Sequence, residues 1–155
     1  MSKDLLMHRR IGSGSPLMLV HGYLGGQFMW QFQEPLQDDF ELIMPSLAGY
    51  GESAHLEAPS SIPGNVDDIC RLLDHLEIDK VDLLGHSMGG MVVQEMAANR
   101  PERINRLICL GTGSMGVLPN RFEPIEESRR KILNLGLEHA RENIARTWFL
   151  NPDFE

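Results

Sequence analysis

The stretch Val81-Asp82-Leu83-Leu84-Gly85-His86-Ser87-Met88-Gly89-Gly90 passes from a short apolar run, through a serine flanked by glycines, into a segment of helical spacing. Val81 to Leu84 has the length and composition of a central strand. From Met88 to Asn99, Met91, Val92, Met96 and Ala97 mark a helix that ends before Pro101. A chain that reverses from strand to helix in so few residues takes a strained backbone, and glycines at the flanking positions let the two elements approach closely. Such a turn lifts Ser87 above the sheet as a candidate nucleophile. The competing reading is a glycine-rich turn that binds phosphate. It would need G-x-G-x-x-G or Gly-Lys-Ser/Thr, and neither is present.

Outward from this turn, short apolar runs alternate with longer amphipathic ones, the pattern of βαβ units around a parallel sheet buried on both faces. Pro16–His21, Phe40–Met44, Val81–Leu84 and Arg106–Leu110 read as strands, with a weaker one over Leu5–Ile11. Val66, Ile69, Cys70, Leu72, Leu73 and Leu76 fall at the three- and four-residue spacing of a helix. The expected architecture is α/β: a predominantly parallel sheet of about five strands with helices on both faces, spanning residues 1–116. From Arg121 the chain turns helical, with Ile125, Ile132, Leu133, Leu135, Leu137, Ile144, Trp148 and Phe149 among alternating charges. Residues 117–155 are therefore expected to form either a cap over a site or helices that pack on the sheet.

Composition narrows the class. Fourteen basic against 22 acidic residues give a net charge of −8 over 155 residues, with 42% apolar content, as in a globular chain of one domain. No basic patch points to nucleic acid. No apolar run approaches the ~18 residues of a membrane span, and the first ten residues lack a signal-peptide pattern. Cys70 and Cys109 stand alone, without C-x-x-C or a His/Cys cluster, so neither a disulfide framework nor a metal site is expected. The chain reads as cytoplasmic, without cofactor or metal.

A second element follows the strand Pro16–Val20: His21-Gly22-Tyr23-Leu24-Gly25-Gly26. Acyl transfer through a serine needs two donors aimed at the oxyanion of the tetrahedral intermediate. Tyr23 N–H in this loop is one candidate. Met88 N–H, one residue after Ser87 at a helix N-terminus, is the other, and the helix dipole there favours negative charge. The competing reading of the loop is a β-turn without a role.

Together these residues resemble the α/β-hydrolase superfamily over about Leu5 to Glu155. The family's strand-then-His-Gly element matches Pro16 to Gly26, with Trp30 at a common aromatic position. Its Gly-x-Gly-x-Ser loop matches Gly49-Tyr50-Gly51-Glu52-Ser53, and its elbow matches Gly85 to Gly90. The resemblance implies Ser87 as nucleophile, with His21, Gly22, Gly85, His86, Gly89 and Gly90 supporting loop and elbow. Pro45-Ser46 departs from the family's Pro-Asp, whose aspartate typically braces the loop. Arg146-Thr147-Trp148-Phe149 and Asn151-Pro152-Asp153-Phe154 are similar to the cap of esterases and lactonases of the 3-oxoadipate enol-lactonase kind.

In this family an acid and then a histidine follow the nucleophile. No Asp or Glu lies between Gly111 and Gly116, and His8, His55 and His75 have no fitting place in the fold. His139, oriented by Glu126 or Glu138, is the candidate within the chain; otherwise acid and base are expected beyond Glu155, with the cap truncated. The implied function is serine hydrolysis of a small-molecule ester, thioester or lactone, with C–C bond hydrolysis or perhydrolysis as relatives of that chemistry. A serine in the elbow disfavours haloalkane dehalogenation, which needs Asp there. The alternative is a non-catalytic hydrolase-like binding module or one piece of a split protein. Strand 106–110, apolar on both sides, is expected to leave an open edge for self-association or a companion chain.

Overall fold

The computed structural model describes residues 4–114 and 125–148. The chain divides into two compact units, residues 1–116 and 117–155. The first holds one sheet built from β1 (His8–Ile11), β2 (Ser15–Val20), β3 (Phe40–Pro45), β4 (Val81–His86) and β5 (Ile104–Leu110). Their spatial order is β1-β3-β2-β4-β5. β1 runs antiparallel to β3 and every other pair is parallel, in agreement with the expected class.

Parallel strands covered on both faces must be apolar at successive positions, and β2 shows why. Met18 and Val20 join Ile43, Val81 and Leu83 on one face, while Leu17 and Leu19 join Leu42 and Met44 on the other. The first face is covered by α1 (Ile62–His75) and α2 (Met88–Asn99), which contribute Val66, Ile69, Leu72, Leu73, Val92, Val93 and Met96. The second is covered by Trp30, from a 3-10 helical segment, Gln27–Asp38.

The elements differ from the sequence expectation at their ends. β1 begins at His8 and not at Leu5, because Met7 N–H donates to Ser53 Oγ at 2.9 Å outside the ladder. α1 begins at Ile62, four residues before its periodic run, with Pro63 in a first turn that tolerates proline. The 3-10 segment was not anticipated. It contains Pro35 and leaves Phe28, Met29, Phe32 and Leu36 exposed, so the apolar residues that recur along it mark no buried helix face.

β5 lies at the sheet edge and pairs with β4 alone among the described residues. Residues 105–110 are exposed, including Leu107, Ile108 and Leu110. In the second unit, α3 (Ile125–Trp148) is broken at Gly136, where φ is 85° and ψ 167°. Leu133 and Leu135 of α3 are exposed. Arg121, Phe149 and the Asn151–Phe154 stretch singled out for the cap lie outside the described residues. No described helix is long and apolar enough to cross a membrane.

Candidate active site

Ser87 joins β4 to α2 with φ 53° and ψ −117°, a left-handed conformation unusual for a residue with a side chain. Such backbone strain typically costs ~1–3 kcal/mol and persists where neighbours over-determine it. They do so here. Ser87 N–H donates to Leu110 O at 3.0 Å, and Ser87 O accepts from Thr112 Oγ1 at 2.7 Å and from Met91 N–H at 3.3 Å. Thr112 carries no sequence signal; only the paired ends of β4 and β5 bring it to the elbow.

The flanking glycines answer to specific neighbours. A Cβ on Gly85 would lie 2.6 Å from Val93 Cγ2 and from the Gly89 carbonyl carbon. One on Gly89 would lie 2.5 Å from His21 O and closer still to Val20 O. Gly90 is pressed in the same way against Thr112. α2 therefore sits directly on the end of β2, which brings the two motifs together. At Gly22 a Cβ would meet both Ser87 Cβ and His86 Nδ1 at 3.0 Å.

The loop after β2 turns at Tyr23 and Leu24, closed by Gly25 N–H donating to Gly22 O at 3.1 Å. Leu24 takes φ 62° and the Tyr23 side chain is exposed. Neither corner N–H closes this turn. Met88 is the first residue of α2, so its N–H is among those a helix leaves without an intrahelical acceptor.

His21 anchors the loop. It is fully buried, its Nδ1 lies 2.8 Å from Gly22 O, and its Nε2 accepts Leu47 N–H at 2.9 Å. A backbone N–H can only donate, so Nε2 is unprotonated and the ring is neutral with its proton on Nδ1. Burial pushes its pKa below the ordinary histidine value, against the opposing pull of the Gly22 carbonyl and the Glu52 charge. The ring also meets Tyr50 edge-on at 5.4 Å.

Pro45-Ser46, where a bracing aspartate was expected to be lost, is braced in another way. Ser46 is fully buried, and its Oγ accepts Gln27 N–H at 3.1 Å and donates to Glu52 Oε2 at 2.8 Å. The Ser46 hydrogen bond is the chief cause that holds the Glu52 carboxyl below its ordinary value. Sequence reading missed this pair, because neither residue type announces a partner six positions away.

The His86 ring lies against Gly22 and within 3.6 Å of a Cβ placed on Gly111, and its buried Nδ1 has no hydrogen-bond partner among the described residues. His8 Nδ1 donates to Leu6 O, His55 Nδ1 donates to Glu52 O, and His139 is exposed on α3. Among the described residues, none forms a hydrogen bond to Ser87 Oγ, and no group of three His, Cys, Asp or Glu gathers as a metal site. An open cavity of about 240 Å³ lies beside the elbow, lined in part by Met88, Tyr50, Ala48, Ala58 and Ile62, with Tyr50 Oη 3.7 Å from Met88 Sδ.

Comparison with known proteins agrees with this geometry. The family model described as alpha/beta hydrolase fold matches residues 15–145. The dihydrolipoyllysine-residue acetyltransferase component of the acetoin cleaving system from Pseudomonas putida is 38% identical over 104 residues, covering 66% of this chain and 28% of that protein. A thermophilic esterase from Thermogutta terrifontis superposes with a TM-score of 0.75 at 31% identity, covering 90% of this chain and 52% of that one. The enol-lactonase from Burkholderia xenovorans LB400 superposes with a TM-score of 0.80 at 25% identity, covering 94% and 56%. The chain thus spans about half the length of these solved structures and less of the curated relative. With its elbow between β4 and α2, its His-Gly loop after β2 and a family match across most of its length, the chain belongs to the α/β-hydrolase fold family.

Proposed function

We propose that the chain carries the nucleophile half of a serine hydrolase acting on a small-molecule ester, thioester or lactone. Ser87 Oγ attacks the carbonyl carbon, and the carbonyl oxygen, as it gains negative charge, accepts hydrogen bonds from Tyr23 N–H and Met88 N–H. The observation that carries this reading is the left-handed Ser87 at the β4–α2 junction, with the Gly22 loop packed against it. Relatives described as an esterase and an enol-lactonase support the ester and lactone classes. The base and its acid are assigned to sequence after Glu155, with His139 as the alternative within the chain. Residues 117–155 are read as the beginning of a cap.

A fluorophosphonate probe tests the assignment. Labelling is expected in the wild-type chain and absent in Ser87→Ala. With no base hydrogen-bonded to Ser87 Oγ among the described residues, it should run slower than in a complete hydrolase, since general-base assistance typically contributes ~10²–10⁴-fold. Labelling that persists in Ser87→Ala refutes the nucleophile. Fast turnover of an ester, abolished by His139→Ala, would transfer the base to α3. The second reading, a binding module or one piece of a split protein, draws on the outer edge of β5, which pairs with no strand among the described residues; it predicts ligand or partner binding without labelling.

A further inference from the structure

We propose that Ser46 and Glu52 act as a positioning pair that fixes the loop carrying Tyr23 N–H. The inference rests on the oxyanion role given to Tyr23 above.

Residues 22–26 leave the sheet and return to it between two fastenings. At one end His21 Nε2 accepts Leu47 N–H at 2.9 Å, and at the other Gln27 N–H donates to Ser46 Oγ at 3.1 Å. Ser46 and Leu47 are consecutive, and consecutive Cα atoms stand only ~3.8 Å apart. Both ends of the loop are thus held by two consecutive residues just after β3. A loop closed in this way keeps its corner residues in place only while both fastenings hold.

The two fastenings differ in kind. His21 is a buried ring in a defined tautomer, whereas Ser46 holds Gln27 through a hydroxyl, which rotates. A hydroxyl has one proton and two lone pairs. By accepting that proton at 2.8 Å, Glu52 turns a lone pair of Ser46 Oγ towards Gln27 N–H, and the charge-assisted bond polarises the oxygen into a better acceptor. Gln27 is itself buried, so its N–H needs this acceptor. Glu52 is exposed, so replacing it leaves the core untouched while releasing the hydroxyl. Ser46 and Glu52 touch neither Ser87 nor the attacked carbonyl; they act through the loop.

The test compares Ser46→Ala, Ser46→Thr, Glu52→Ala and the Ser46→Ala/Glu52→Ala pair, each in the whole chain. Two readouts are taken: amide hydrogen exchange over residues 22–27, and the rate of fluorophosphonate labelling at Ser87. Exchange is expected to rise about tenfold in Ser46→Ala and in Glu52→Ala, and to stay low in Ser46→Thr, which keeps the hydroxyl. Complete removal of an oxyanion donor typically costs ~10²–10³-fold, so a displaced donor should slow labelling about tenfold in Ser46→Ala. The paired variant should be no slower than Ser46→Ala within about twofold, because both changes break one chain of hydrogen bonds.

Exchange that stays at the wild-type level in Glu52→Ala overturns the proposal, and this variant decides the question even if Ser46→Ala fails to fold. Raised exchange with an unchanged, Ser87-dependent labelling rate also overturns it. Failure of the underlying hydrolase reading looks different: wild-type protein that is not labelled, or Ser87→Ala that is. Either result removes the oxyanion role from the loop and the positioning role with it.

Discussion

Gly89→Ala sets two effects against each other. Gly89 is the second residue of α2, and alanine at an ordinary helix position is more favourable than glycine by ~1 kcal/mol. Here the new methyl would stand 2.5 Å from His21 O, when Cβ atoms essentially never approach within 3.0 Å, and Val20 O is nearer still. Both obstacles are backbone carbonyls at the end of β2, so no side chain can rotate away. The helix must retreat by at least ~0.5 Å, and a radial gap of that size already forfeits about a quarter of each contact's attraction. Val92, Val93 and Met96, all fully buried, lose packing together. Overpacking of this kind costs ~1–3 kcal/mol and occasionally more, so it outweighs the helical gain. We expect a net loss of about 2 kcal/mol, read as a fall of roughly 0.7–2 M in the urea midpoint followed by tryptophan fluorescence, given slopes of ~1–3 kcal/mol/M. A midpoint equal to or above that of the wild type would refute the claim that β2 and α2 meet at this distance.

The buried neutral His21 has a folded-state pKa below its unfolded value of ~6.5, so its contribution to stability is complete above that value and is lost as pH falls towards the folded-state pKa. Urea midpoints should therefore fall more steeply between pH 7.5 and 5.5 in the wild type than in His21→Gln; parallel slopes would contradict the assignment. Cys109 is exposed on β5, whereas burial pushes the Cys70 thiol up, so iodoacetamide at pH 7.5 should modify Cys109 at least about tenfold faster, as mass spectrometry would show. Self-association through β5 should appear as growing sedimentation coefficients over a concentration series, with Cys109 alkylation slowing in step. A compact monomer at high concentration would refute association at this edge.

The elbow and the His-Gly loop were legible because each glycine stands where another backbone or side chain passes within contact distance, as at Gly85, Gly89 and Gly22. The four strong strands were legible because both faces of the sheet are covered, so that Leu17–Val20 of β2 and Leu42–Met44 of β3 are apolar at every successive position. Their ends were not, since pairing extends β4 to His86 and begins β5 at Ile104 without a change in residue type. The Gln27–Asp38 segment escaped because its recurring apolar residues Phe28, Met29, Phe32 and Leu36 are exposed and it buries essentially one large side chain, Trp30. Polar partnerships were the least visible. The Ser46–Glu52 bond and the hold of Thr112 on Ser87 join loops that only the folded sheet brings together.

The sheet order also sets a timetable for synthesis. β2 is the second strand to be made, yet it lies in the middle of the sheet, and its pairing with β4 joins Leu17 to Asp82. At the ribosome's ~5–20 residues per second, the 65 positions between them take roughly 3–13 s to appear. During that interval β3 can cover one side of β2, while the other presents the bare amides of Leu17-Met18-Leu19-Val20 to whatever passes. A chaperone that recognises extended apolar chain has its opportunity in those seconds, and it closes when Asp82-Leu83-Leu84-Gly85 emerges to take the place beside them.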